Sequence, residues 1–180
     1  MKYELTQETK ITDTGITLHR IKALENFADV KAGDLGGWIA NENNLSQDGT
    51  CWVYDEAEVY GEKAKILGRA KVKECAKVNG AAHVRDDAEV YGHAQVRGHS
   101  RVCHKAKVYD NAQMSGYTKA FDNARICGNA IVYGHAWVRD HVCIYESAIV
   151  SGYSKLFGNT KVYGRQHISE KKRNFPRKQK

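Results

Sequence analysis

The 180-residue chain lacks the features that mark a membrane or secreted protein. No apolar run approaches the roughly 18 residues a membrane span needs, and no apolar stretch follows the first lysine of MKYELTQETK, as a secretory signal would require. A cytoplasmic protein with no membrane partner is expected. Its five cysteines, Cys51, Cys75, Cys103, Cys127 and Cys143, are odd in number and include no C-x-x-C pair. That excludes a disulfide framework and a zinc knuckle, so reduced thiols and no bound metal are expected. The length allows one domain and hardly two.

What is present is charge, unevenly placed. Residues 1 to 63 carry 6 basic and 12 acidic side chains, residues 64 to 165 carry 16 and 8, and the end from Gln166 carries 6 and 1. An acidic head is thus joined to a basic body and tail. Such asymmetry points to an acidic partner surface or a nucleic acid rather than to a neutral metabolite.

A repeat decides the architecture. From Ala64 to Arg165 the pattern Ala-x-Val-x-Gly/Asp-x recurs every six residues, making 17 units without a gap. The third position is Val or Ile in 14 units, the first is Ala in 12, and the fifth is Gly in ten and Asp in four. An inward β-branched residue, an inward small residue two places before it, and a turn pair after it describe one short strand and one corner. Three units close a triangular coil of about 18 residues, and stacked coils pair their strands in parallel at about 4.8 Å. About six coils form an all-β parallel β-helix with a continuous narrow core. Two further units begin at Cys51 and Ala57, after which Lys63 shifts the phase by one residue, where a bulge is expected.

These units resemble those of the hexapeptide-repeat proteins, and the resemblance implies left-handed coiling. The run Phe27 to Ala40 (FADVKAGDLGGWIA), followed by Asn44 to Val53 and the Val-Tyr-Gly-x-Ala units at Val59, Val90 and Val132, resembles phage and prophage members of that family. Some β-helical proteins of phage-like origin are anti-CRISPR inhibitors of Cas9, and this chain is similar to them in size and build. Three segments are expected: a small N-terminal β cap and entry segment over 1–50, the repeat helix over 51–165, and a mobile basic tail over 166–180. The tail carries Lys171, Lys172, Arg173, Arg177, Lys178 and Lys180, a composition that binds polyanions without sequence choice.

Reading the outward positions every 18 residues reconstructs three walls. The first interleaves cations and aromatics: Arg85, Arg101, Lys119, Phe121, Trp137, Arg139, Lys155 and Phe157. The second carries a tyrosine ladder of Tyr91, Tyr109, Tyr145 and Tyr163, interrupted by Cys127. The third is the least charged, and its Ile131, Tyr133 and Ile149 form a candidate patch for self-association. Basic groups beside rigid aromatic rings suit phosphates, bases or protein surfaces, although tyrosines in such a register also serve as cross-strand packing. His93, His99, His135 and His141 occupy corner positions that elsewhere hold Asn, and read as turn residues.

The expectation from sequence is therefore a non-enzymatic binding protein with no catalytic residue, no cofactor and no small-molecule substrate. In its sharp form, resting on resemblance, it is an anti-CRISPR inhibitor of the host bacterial cell's Cas9-type effector. It would act through the basic and aromatic wall on the nuclease, its guide RNA or its target DNA. Two alternatives stand beside it. One is a hexapeptide-repeat acyltransferase, whose turnover would depend on His135 or His141, and the other is a structural or assembly module. Against the enzyme stand flat walls without the loops that shape an acyl-donor cleft.

Overall fold

The structure, a computed structural model, describes residues 1–171. It is a parallel β-helix of about seven turns, consistent with left-handed coiling and with a hexapeptide-repeat β-helix family. Three strands form the cap: β1 (Tyr3–Ile11), β2 (Thr17–Ala23) and β3 (Leu35–Ile39). The first two pairings are antiparallel, after which β3 pairs in parallel with Glu58–Tyr60. This cap therefore adds its edge to the third wall, giving a sheet of ten strands beside sheets of six and seven. No helix among the described residues is long and apolar enough to cross a membrane.

The repeat dictates the packing. Third-position residues from Ile66 to Val150 and first-position alanines are buried in one continuous core. Ser100 and Thr118 take the first position on successive coils, and their buried hydroxyls meet at 3.0 Å, so neither polar group is left unpaired. Successive coils pair with an offset of 18 residues, as in Gln95 with Gln113 and Val96 with Met114. Across the phase break the offset is 19, Trp52 pairing with Lys71 and Glu58 with Lys77. The extra residue is accommodated at the corner Gly61-Glu62-Lys63, closed by the Ala64 N–H donating to the Gly61 carbonyl at 3.2 Å. Relaxing a corner leaves every inward side chain in phase, which a bulge inside a strand would not.

The cap closes the open end by filling it. Tyr3 and Trp52 are buried with ring centres 6.1 Å apart, and Phe27 meets Trp52 edge-on at 5.3 Å. The Tyr3 hydroxyl donates to the Leu45 carbonyl at 2.7 Å. Entry of β3 beneath this plug needs Gly36 and Gly37. A Cβ on Gly36 would lie 2.6 Å from both Ile21 and Trp52, and one on Gly37 2.6 Å from the Ala57 carbonyl. At the other end, His167–Glu170 pairs in parallel with Ile149–Gly152, so coil structure runs five residues past the boundary drawn at 165. Lys171 is exposed, and the remaining tail residues Lys172, Arg173, Arg177, Lys178 and Lys180 lie outside the described residues.

The three corners are chemically distinct. All fifth-position residues of the repeat have a positive φ, including Glu74, Asp86, His104, Asp110, Asp122, Asp140 and Glu146 at 57 to 62°. At two corners these side chains reach the next coil and accept its corner N–H. Asp86 takes His104 N at 3.0 Å, Asp110 takes Gly128 N at 2.9 Å, Asp140 takes Gly158 N at 2.7 Å, and Glu146 takes Gly164 N at 2.8 Å. An acidic residue that tolerates the left-handed region thereby satisfies a backbone donor the coil ladder leaves open. The corner between the third and first walls is built only of glycine, at Gly80, Gly98, Gly116, Gly134 and Gly152. Among the described residues the N–H groups of Gly98, Gly116 and Gly134 have no hydrogen-bond partner.

Candidate functional site

Directly after Gly98, Gly116, Gly134 and Gly152 of the glycine corner stands a ring. His99, Tyr117, His135 and Tyr153 follow one another at 18-residue intervals and stack face to face. Their centres are 4.6, 5.0 and 4.6 Å apart and their planes lie within 3°. The coil spacing of about 4.8 Å sets that separation. All four residues are exposed, so their faces cover one another while the stack stands in solvent. His99 and His135 have no hydrogen-bond partner for their ring nitrogens among the described residues, whereas His104 faces Asp122 at 2.9 Å and His167 faces Ser151 at 3.0 Å.

Beside this stack lies the first column of the first wall. Arg101, Lys119, Trp137 and Lys155 occupy successive rungs in register. The ammonium groups of Lys119 and Lys155 approach the Trp137 ring from the two neighbouring rungs, at 4.2 and 5.2 Å from its centre. Together His99, Tyr117 and His135 on one side and Arg101, Lys119 and Trp137 on the other line a shallow depression of about 340 Å³. The wall is therefore not flat here, because two rows of long side chains rise from adjacent columns. Cation, hydroxyl and imidazole converge on one concavity, the combination from which small-molecule sites are built.

The other residues singled out from the sequence are distributed as follows. Arg85, Phe121, Arg139 and Phe157 form the second column of the first wall, with Phe121 edge-on to Trp137 at 6.4 Å and Arg139 5.8 Å over Phe157. The tyrosine ladder is two separate pairs, Tyr91 with Tyr109 at 4.9 Å and Tyr145 with Tyr163 at 5.5 Å. Between them the neighbouring Cys127 thiol and burial push the Tyr109 phenol above its usual range. Ile131 and Ile149 are register neighbours on the third wall, and Tyr133 beside them is 42% exposed. His141 stands on a different corner from His135 and does not join it.

Tyr117 and Tyr153 are the functional candidates that sequence reasoning passed over, together with the pairing of His99 to His135 through Tyr117. The signal was available. All four hold the sixth position of their repeat on one corner, and reading that position every 18 residues, as the walls were read, brings them together.

No family model matches the chain. A protein of Escherichia coli K12 carrying the description "Uncharacterized acetyltransferase YdcK" is 36% identical over 78 residues, a stretch that covers 39% of this chain and 24% of that protein. That finding overturns the expectation of a non-enzyme that inhibits a Cas9-type effector. A relative described as an acetyltransferase supports the enzymatic alternative. The physical reason is that long side chains rising from adjacent columns make a concave surface where no long loop leaves the coils.

Proposed function

We propose that the protein is an acyltransferase of the hexapeptide-repeat type, moving an acyl group from an activated thioester to a hydroxyl or amine held against the glycine corner. The observation that carries this reading is the depression in which imidazole nitrogens without a partner among the described residues stand beside cations, with the unpaired backbone N–H groups of the glycine corner next to it in the chain. His135 is the general base. It takes the proton of the acceptor as the acceptor oxygen or nitrogen bonds to the acyl carbon. Negative charge then gathers on the acyl oxygen, where the N–H of Gly116 or Gly134 is available as a donor and Lys119 supplies a nearby positive charge. Collapse expels the thiolate, which recovers the proton from the imidazolium. Trp137, held between two ammonium groups, offers the acyl donor a rigid apolar surface.

The test is release of free thiol from short-chain acyl-CoA in the presence of a panel of amine and hydroxyl acceptors. His135→Ala is expected to lower turnover about 100-fold, while His141→Ala, on another corner, leaves it within about twofold of the parent. Turnover that survives His135→Ala, or that requires His141 instead, removes the glycine corner as the active site.

A further inference from the structure

We propose that the corner between the first and second walls holds a second site, a binding site for one divalent ion of the zinc or cobalt type on Asp86, Cys103 and His104. One donor atom from each of these residues, a carboxylate oxygen, a sulfur and a ring nitrogen, lies within 4.8 Å of the other two. The site is distinct from the depression at the glycine corner and does not depend on acyl transfer.

Three features of this corner support it. First, His104 is the single histidine among the 17 fifth positions of the repeat, where Gly, Asp and Glu otherwise stand, and it holds a φ of 58°. A residue in a costly backbone conformation where glycine or aspartate would serve points to chemistry the imidazole supplies. Second, each residue retains a donor beyond its part in the coil. Asp86 Oδ2 accepts the His104 N–H at 3.0 Å, leaving Oδ1. His104 Nδ1 faces Asp122 Oδ1 at 2.9 Å and the Asp122 N–H at 3.3 Å, leaving Nε2. Cys103, directly after a wall strand and 8% exposed, makes a long contact, 3.9 Å, to the Ala120 carbonyl and lies near the Arg85 guanidinium. Third, Asp122 on the next coil holds the imidazole by its other nitrogen, the carboxylate–histidine arrangement that orients and strengthens a metal-ligating imidazole.

The donor set selects the ion. One thiolate, one imidazole and one carboxylate are the ligands that zinc and cobalt prefer, and they leave a fourth tetrahedral position to water. Metal–ligand bonds of about 2.0 to 2.3 Å imply ligands about 3.5 Å apart. The three residues must therefore close by about an ångström, a movement within reach of the exposed His104 and the half-exposed Asp86 side chains. Binding converts the Cys103 thiol to a thiolate and releases one proton to solvent per ion bound.

Titration of the full chain with Co²⁺ tests the site, read by the near-ultraviolet thiolate-to-cobalt charge-transfer band and by the intensity of the visible tetrahedral bands. One equivalent is expected to bind with both signatures and with release of one proton. Cys103→Ser abolishes the charge-transfer band, Asp86→Asn and His104→Asn each weaken binding at least tenfold, and Cys75→Ser, which removes an exposed thiol elsewhere, changes nothing. Asparagine tolerates the left-handed corner and can accept the next N–H, so both Asn variants keep the coil, which circular dichroism confirms. A charge-transfer band that persists in Cys103→Ser, a spectrum that stays octahedral at millimolar Co²⁺, or affinity unmoved by the Asp86 and His104 variants overturns the proposal.

Discussion

Replacing Asp140 separates the two demands that the repeat places on its corners. Asp140 has a φ of 59°, and its carboxylate accepts the Gly158 N–H of the next coil at 2.7 Å. An alanine there meets the left-handed penalty of about 1 to 2 kcal/mol and loses a charge-assisted hydrogen bond worth about 1 kcal/mol at this half-exposed site. Asp140→Ala is therefore expected to cost about 2 to 3 kcal/mol. Glycine removes the bond without the left-handed penalty, while adding about 0.5 to 1 kcal/mol of unfolded-state entropy, so Asp140→Gly falls near 1.5 kcal/mol. Asparagine keeps both an acceptor and tolerance of the conformation and stays below about 1 kcal/mol. Urea unfolding by circular dichroism gives the order, and amide exchange at Gly158 gives the local event, since that N–H has no other partner among the described residues. An Asp140→Gly variant less stable than Asp140→Ala refutes the conformational half of the argument. Gly158 protection that is unchanged in Asp140→Gly refutes the hydrogen-bond half.

Three further outcomes follow from the packing and the charges. Gly36→Val drives a side chain into Ile21 and Trp52 from a Cβ already 2.6 Å from each; a loss of about 3 kcal/mol or more is expected, seen as collapse of the near-ultraviolet signal of Trp52 before the coils unfold. Burial works to raise the Glu89 carboxyl, but the ammonium groups of Lys107 at 2.8 Å and Lys73 at 2.7 Å prevail and hold it below its ordinary value of 4.5. Its folded pKa being depressed, the stability it contributes is present above pH 4.5 and is lost as pH falls through the lower folded value. Glu89→Gln should accordingly flatten the acid limb of the stability curve, and an unchanged slope would count against the ion pairs. Should the Ile131, Tyr133 and Ile149 patch mediate self-association, Tyr133→Glu will shift the light-scattering mass toward the monomer, and a mass unaffected by the charge removes that role.

The fold was legible because a β-helix writes its geometry into a local period. Ala64, Ile66 and their successors every six residues each specify an inward rung, and the only slip, at Lys63, is visible as a one-residue change of phase. The site was less legible for a related reason. Side chains on successive coils meet only through the 18-residue closure, and His99 and His135, two coils apart on one corner, become a stack only when Tyr117 between them is read in the same register. The walls are thus legible in the sequence, while His99 and His135 read as turn residues and Tyr117 and Tyr153, between and beyond them on the same corner, draw no reading. Nor does composition reveal that Lys119 and Lys155 close on Trp137. A basic wall counted as free cations proves to be partly engaged with its own aromatic rings.

The contrast between corners also bears on why glycine is retained where aspartate could cap the next coil's N–H. At two corners the acidic side chains satisfy the next coil's N–H, and the same device placed at Gly98 would cap the N–H of Gly116. A Cβ on Gly98 lies 2.9 Å from that nitrogen and 3.1 Å from the Gly116 carbonyl oxygen, so the coil must yield by a few tenths of an ångström. Gly98→Asp is therefore expected to fold with little net change in stability, the new hydrogen bond offsetting the crowding, while its carboxylate occupies the N–H and places negative charge beside His99 and Tyr117. If those donors serve the acyl oxygen, transfer falls by at least tenfold in a protein that melts like the parent. A folded Gly98→Asp protein with parental turnover would show that Gly116 is not a donor in the reaction, and would restrict the chemistry to the neighbourhood of Gly134 and His135. An open backbone donor is a stability deficit in a structural prism, and a row of them beside two unpaired imidazoles is what a surface retains when binding or catalysis needs it.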